Sequence, residues 1–194
     1  MAKRVFFSFH YQDVIDFRAN VVRKHWLTKA DREASGFFDA SLWESAKRTN
    51  PSAVKRLVNS GLEGTSVTCL LIGSETYLRP WVRYEIMKSF RRGNAILGVQ
   101  INSITGKDQQ TKPSGPNPLA YLGVSFSATG QTGTLHEIVD GQWKEYSEID
   151  GSATYQTTGL DSQYWGKGFN FSRWYRTYDW VNDDGYANFS QWVG

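Results

Sequence analysis

The chain has 194 residues, 40% hydrophobic and 21% charged, with a formal net charge of +3. That length fits one domain with a real core and room for an elaboration. The weak positive balance comes without a dense Lys/Arg block, which argues against nucleic acid as a partner, and no stretch approaches the ~20 apolar residues of a membrane-spanning helix.

The elements follow in chain order. Residues 4–9 (RVFFSF) form a short continuous apolar run, as buried parallel strands do, and charge returns too soon after it for a signal peptide. Asp13 reads as an N-cap, after which Val14, Phe17, Val21, Val22 and Trp26 recur at helical spacing. Residues 36–39 (GFFD) make a second, very short strand candidate. Residues 50–62 (NPSAVKRLVNSGL) have a Pro-Ser start, an apolar stripe of Val54, Leu57 and Val58, and a Gly61 stop, which predict a helix. Residues 65–73 (TSVTCLLIG) are the strongest strand of the chain. They hold the single cysteine, Cys69, a small core residue that permits no internal disulfide and so fits a reducing, cytoplasmic compartment. Pro80 suits the first turn of the next helix and Gly93 its end, with the basic residues 88–92 answering the helix dipole. Residues 95–101 (AILGVQI) are the following strand. Such alternation of strand and helix means a parallel sheet with helices on both faces and right-handed crossovers.

After Asn102 the character changes. Residues 103–118 (SITGKDQQTKPSGPNP) are polar and rich in turn formers, hence a long loop. Residues 135–146 (LHEIVDGQWKEY) place Asp140-Gly141 between two strand-like runs, a hairpin signal. Trp165, Trp174, Trp180 and Trp192 then dominate a tail poor in aliphatics, which we read as an extension fastened by aromatic contacts. Residues 130–133 (GQTG) are too short and isolated for a phosphate loop, and Gly168 and Gly185 read as turn residues.

One stretch, residues 74–86 (SETYLRPWVRYEI), raises a chemical question. Trp81 and Glu85 stand four apart at the head of a helix and so share a face. An aromatic plane beside a carboxylate is either a packing accident or half of a site for a flat, charged ring. Taken as helix statistics, Glu85 would be a solvated partner of Lys88 at i+3.

The order of VFFSFHYQD, FFD and LLIGSETYLRPWVRYEI resembles the TIR domain, with its Ser-(x)6-Trp-x-x-x-Glu element at Ser74, Trp81 and Glu85. Together with the tail stretch YDWVNDDGY, the chain is similar to the TIR-like ThsB proteins of the bacterial Thoeris antiphage defence system. The TIR resemblance covers residues 4–102, which implies a TIR-like core (1–102) and a C-terminal extension packed on it (103–194) as one compact unit. The implied fold is flavodoxin-like, a parallel sheet in strand order 2-1-3-4-5. Ligands bind such sheets at the carboxyl ends of strands where the order reverses, here residues 8–12 and 73–76.

Catalytic TIR domains cleave the nicotinamide–ribose bond of NAD+. The leaving ring is already cationic and needs no general acid, so the site must stabilise an oxocarbenium-like ribose. The resemblance carries this role to Glu85. It carries substrate contact to Ser8, Phe9, His10 and Tyr11, and it places Asp39 after the second strand, where a loop cap is the alternative. Trp81 either walls the pocket or anchors the helix, or both. Ser74 either orients Glu85 or caps backbone amides. No metal spacing links His10 to another histidine, and no GxGxxG fingerprint occurs, so NAD+ is expected as substrate with no resident cofactor. Three functions follow: an enzyme making a cyclic ADP-ribose-type signal for a separate NAD-depleting effector, a plain NAD+ hydrolase, or a scaffold that binds other TIR domains. The retained Ser74/Trp81/Glu85 set argues against the scaffold and leaves the first two open. A phage-derived trigger and a homo-oligomer are further implications of the resemblance.

Overall fold

A computed structural model describes residues 3–36 and 50–194. The first half alternates β1 (Lys3–Phe9), α1 (Tyr11–Ile15), α2 (Arg18–Leu27), β2 (Arg32–Ser35), α3 (Pro51–Leu62), β3 (Val67–Ile72), α4 (Pro80–Arg92) and β4 (Ala95–Gln100). The second half adds β5 (Leu122–Phe126), β6 (Thr132–Val139), β7 (Gln142–Glu145), β8 (Thr154–Gln156), β9 (Gly168–Asn170), β10 (Thr177–Asp179) and α5 (Gly185–Val193). The first sheet is parallel, in the order β10-β4-β3-β1-β2. The second is antiparallel, β7-β6-β5-β9, with β8 also on β6. This is the flavodoxin-like α/β arrangement with a second sheet in the extension. Among the described residues no helix is long and apolar enough to cross a membrane.

All six positions of β3 are buried, because both faces of the sheet are covered. Alternation sorts the side chains. Phe6, Leu70 and Ile72 point to one core with Val54, Val58 and Leu62 of α3, Ile86 of α4, and Leu122, Val124 and Leu135 of the second sheet. Val5, Phe7, Cys69 and Leu71 point to the other, with Ala19, Val22 and Trp26 of α2 and Phe189 and Val193 of α5. The expected hairpin is present: Asp140 (φ 52°) and Gly141 (φ 76°) both take the left-handed turn that joins β6 to β7.

Two expectations need correction, and one strand, residues 32–35, was not expected. It is an edge strand with half-exposed positions, so its ladder on β1 selects polar residues rather than an apolar run. Gly36 leaves it at φ 90°, where a Cβ would stand 2.1 Å from the Phe7 carbonyl oxygen; residues 37–39 lie outside the described residues. The helix after β1 is two helices, broken at Phe17 in the left-handed region (φ 66°). Its N-cap is His10, and Asp13 lies inside the first helix, buried. The fifth strand of the sheet comes from the second half of the chain: β10 pairs with β4. Gly185 is more than a turn residue, since a Cβ there would stand 2.5 Å from Cε3 of Trp180.

Aromatic rings fasten the extension. Trp180 and Phe189 are fully buried. Phe189 packs edge-on against Trp26 (5.6 Å between centroids), and Trp192 stacks on Tyr178 (4.2 Å). On the opposite face Trp174 stacks between Phe169 (4.8 Å) and Phe90 of α4 (6.4 Å). Trp165 departs from the pattern: it is half-exposed and donates to Leu160 O at 3.1 Å, inside the extension. Phe189→Ala should therefore lower the unfolding free energy by roughly 3–5 kcal/mol, and Trp165→Ala by clearly less. Urea denaturation of the two variants measures the difference, and equal losses would contradict this account of the packing.

Candidate active site at the carboxyl ends of β1 and β3

Ser8 is the penultimate residue of β1 and has no exposed surface. Its hydroxyl donates to Glu85 Oε2 at 2.5 Å. Glu85 sits on the sheet-facing side of α4 and is 6% exposed. A chain of buried hydroxyls fixes its turn: Thr68 Oγ1 of β3 donates to Ser89 Oγ (2.7 Å), which donates to the Glu85 carbonyl (2.7 Å). Lys88 turns away to Asp150 (3.4 Å), so Glu85 is not its solvated partner. No cation pairs with Glu85 among the described residues, and Ser8 is the one donor to its carboxyl group. Burial pushes its pKa up from 4.5 to about 8, and the Ser8 hydroxyl pulls in the other direction.

A second buried carboxyl stands at the same end of the sheet. Asp13 is 6% exposed, and its Oδ2 accepts from Thr76 Oγ1 at 3.4 Å. It packs so closely on the chain after β3 that a Cβ at Gly73 would stand 2.2 Å from Oδ1. Its pKa is raised to about 6 by burial and by repulsion from Asp16, against pulls from Lys112, Thr76 and Arg18. The sequence offered a signal for this role only in hindsight: Asp13 and Gly73 have to be read as a contact across the sheet, and the residue looks like a cap when read along the chain.

The polar loop after β4 is held down over these strand ends. Arg18, with no exposed surface, donates from Nε to Ile104 O (3.0 Å) and from Nη2 to Gln110 O (2.8 Å). Its Nη1 pairs with Asp16 (3.0 Å), which also receives Lys112 (2.6 Å) and is thereby held below the usual carboxylate range. Asn102 donates to both Ser74 Oγ (2.9 Å) and Pro113 O (2.7 Å). Gly115 passes so near Gly73 that a Cβ there would stand 2.0 Å from its carbonyl oxygen.

Of the residues singled out from sequence, Ser8 and Glu85 meet directly, and Phe9, His10 and Tyr11 follow Ser8 at the mouth, the first two half-buried and Tyr11 44% exposed. Trp81 lies one turn before Glu85, half-buried, edge-on to Tyr84 (6.2 Å) and packed against the core. Its burial is compatible with both roles considered for it. Ser74 is exposed and its Oγ accepts from Asn102, which ties the chain after β3 to that residue, and the hydroxyl that donates to Glu85 is that of Ser8. Asp39 lies outside the described residues. Among the described residues no group of three or more His, Cys, Asp or Glu side chains is placed to hold a metal ion.

A flavodoxin-like sheet with a buried, hydrogen-bonded glutamate at the carboxyl ends of the neighbouring strands β1 and β3 defines a class of α/β proteins whose crevice lies where the strand order reverses. Within it, the family model described as "Thoeris protein ThsB, TIR-like domain" matches residues 6–105. The chain is also 55% identical over 194 residues, all of both chains, to a Bacillus cereus (strain MSX-D12) protein named "Putative cyclic ADP-D-ribose synthase ThsB1". The chain belongs to the TIR-like ThsB family.

The raised Glu85 pKa has a stability consequence. Between 4.5 and about 8 the folded state holds a proton that the unfolded state has released. The contribution is therefore fully present at low pH and is lost as pH rises through about 8. Glu85→Gln removes the titration. It should unfold at higher urea than the parent above pH 8, with the gap closing as the pH falls to about 5. A gap that does not change with pH would show that the carboxyl is not held neutral by burial.

Proposed function

We propose that this chain cleaves the nicotinamide–ribose bond of NAD+ and closes the ADP-ribose unit into a cyclic product. The observation that carries the reading is Glu85: a buried carboxyl that accepts from Ser8 and has no cation beside it among the described residues. The name of the Bacillus cereus relative, a cyclic ADP-D-ribose synthase, supports the product class.

The chemistry suits the geometry. The pyridinium of NAD+ brings the missing cation, which lowers the Glu85 pKa and drives its proton out. As the glycosidic bond breaks, its electron pair neutralises the departing nicotinamide and positive charge moves to the ribose. A carboxylate fixed by Ser8 stabilises that charge without reorganising. A hydroxyl or ring nitrogen of the same molecule then bonds to the anomeric carbon and releases a proton, giving ADP-ribose less one water. Water is the competitor, and the loop pinned by Arg18 and Asn102 over the strand ends favours its exclusion. Trp81 and the aromatic residues after Ser8 supply flat surfaces at the mouth. NAD+ is substrate here and no resident cofactor takes part. The product is small and diffusible, so the reading extends to a separate NAD-depleting effector that responds to it, to a phage-derived trigger, and to a homo-oligomer as the working form.

Extract from infected cells expressing the protein, incubated with NAD+, should yield nicotinamide and a species with the mass of ADP-ribose less one water. A small-molecule filtrate should switch on a separately purified effector. Glu85→Gln should lower turnover by at least ~100-fold with the fold intact, and kcat/KM of the parent should rise with pH along a limb at about 8. Linear ADP-ribose as the only product would make the protein a plain hydrolase, and wild-type turnover by Glu85→Gln would remove the assignment.

A further inference from the structure

The second sheet has an inner face packed on α4 and an outer face open to solvent. Residues directly opposite in the ladder share a face. Gly123 pairs with His136 and with Asn170, Ser125 pairs with Gly168, and Ile138 pairs with Trp143. All of these lie on the outer face, opposite Leu122, Val124, Phe126 and Leu135, which belong to the core. A cavity of about 450 Å³ opens there, lined among others by Gly123, Ser125, His136, Trp143, Gly168 and Arg173. That volume lies within the range of small-molecule sites, and the sheet separates the cavity from α4 and Glu85.

Each part of the lining favours the same kind of ligand. Two glycines leave bare backbone as a flat floor. Trp143 leans over it, its Cη2 only 3.4 Å from where a Cβ of Gly123 would be, yet the residue is 47% exposed. A large indole held over a flat floor with half its surface wet is a stacking platform without a partner. Ser125 Oγ and His136 Nε2 hydrogen-bond each other at 2.7 Å, which leaves the remaining capacity of the Ser125 hydroxyl for a ligand. Arg173 is exposed, and it makes no ion pair or hydrogen bond among the described residues. Among the described residues no carboxylate lines the cavity, and Arg173 brings a guanidinium to it.

We propose that this cavity binds a nucleotide, with the base stacked on Trp143 and a phosphate on Arg173, as a second site distinct from the Glu85 crevice. Aromatic stacking accepts any base, and a guanidinium fork matches phosphate oxygens. A neutral sugar would use the platform and leave the cation idle.

The test uses the full chain and ADP, which carries base and phosphates without a nicotinamide–ribose bond. The chain has three histidines, His10, His25 and His136, so ring-proton NMR reports the sites separately: His136 for the cavity, His10 for the crevice mouth. Millimolar ADP should shift the His136 signals saturably. Trp143→Ala should weaken that titration by about 5- to 150-fold, the effect of losing one base–aromatic stack. Arg173→Ala should weaken it by about 10-fold and flatten its salt dependence. Gly168→Val should abolish it: a Cβ there meets nothing nearer than 3.9 Å, so the side chain fills the cavity without disturbing the strand. Any ADP effect on His10 should survive all three changes. An unmoved His136 signal, a shift that survives Gly168→Val, or an equal shift from ribose alone that ignores Arg173→Ala would overturn the proposal.

Discussion

A carboxyl group buried without a cation is the constraint on which the site depends. Moving an ionised carboxylate out of water is so unfavourable that the group takes up a proton instead, and Glu85 does so, with its pKa raised to about 8. One hydroxyl, from Ser8, fixes its orientation without neutralising its charge. The group is thus held in place, largely uncharged and poised to ionise when a cation arrives. The Thr68–Ser89 relay keeps the turn of helix that carries the group in place, and the loop clamped by Arg18 is fixed at the same end of the sheet.

Holding it there requires a sheet covered on both faces, and among the described residues both covers draw on the two halves of the chain. α3 and α4 lie against one face and α2 against the other. Phe7 and Trp26 pack against Phe189 of α5, and Ile86 and Leu70 share their core with residues of the second sheet. β10 then shields β4, which would otherwise be a free sheet edge. Residues beyond the site-bearing half therefore complete its sheet and both its cores.

Much of this was legible in the sequence, and the failures share a physical cause. Strands buried on both faces announce themselves, and β1, β3 and β4 were found because covering both faces demands continuous apolar residues. Capping chemistry marked α3 and α4, and Asp140-Gly141 marked the hairpin. β2 was missed because an edge strand owes its place to a neighbour's backbone and needs no apolar run. Asp13 was misread because its partners, Gly73 and Thr76, lie sixty residues or more away. The contact of Ser8 with Glu85 was not foreseen for a related reason: a motif gives spacing along one segment, whereas the hydroxyl that meets Glu85 comes from another strand. The tail was correctly read as aromatic and fastened, but its rings could not be assigned partners, since stacking leaves no period in the sequence.

The two buried carboxyls show how similar chemistry at one end of a sheet is divided between frame and function. Asp13 accepts from Thr76, lies against Gly73, and feels Lys112 and Arg18, so its raised pKa stops at about 6 and it is mostly ionised at neutral pH. Those contacts join the chain after β1 to the chain after β3, and they leave little of the group free to meet a ligand. Among the described residues the Glu85 carboxyl has a single donor and no cation in reach, and its pKa is pushed higher, to about 8. Pairs of acids whose environments separate their pKa values are the means by which one site assigns different tasks to like groups. The acid with satisfied partners builds the frame, and the acid left short of charge is the one whose energy a cationic substrate can change.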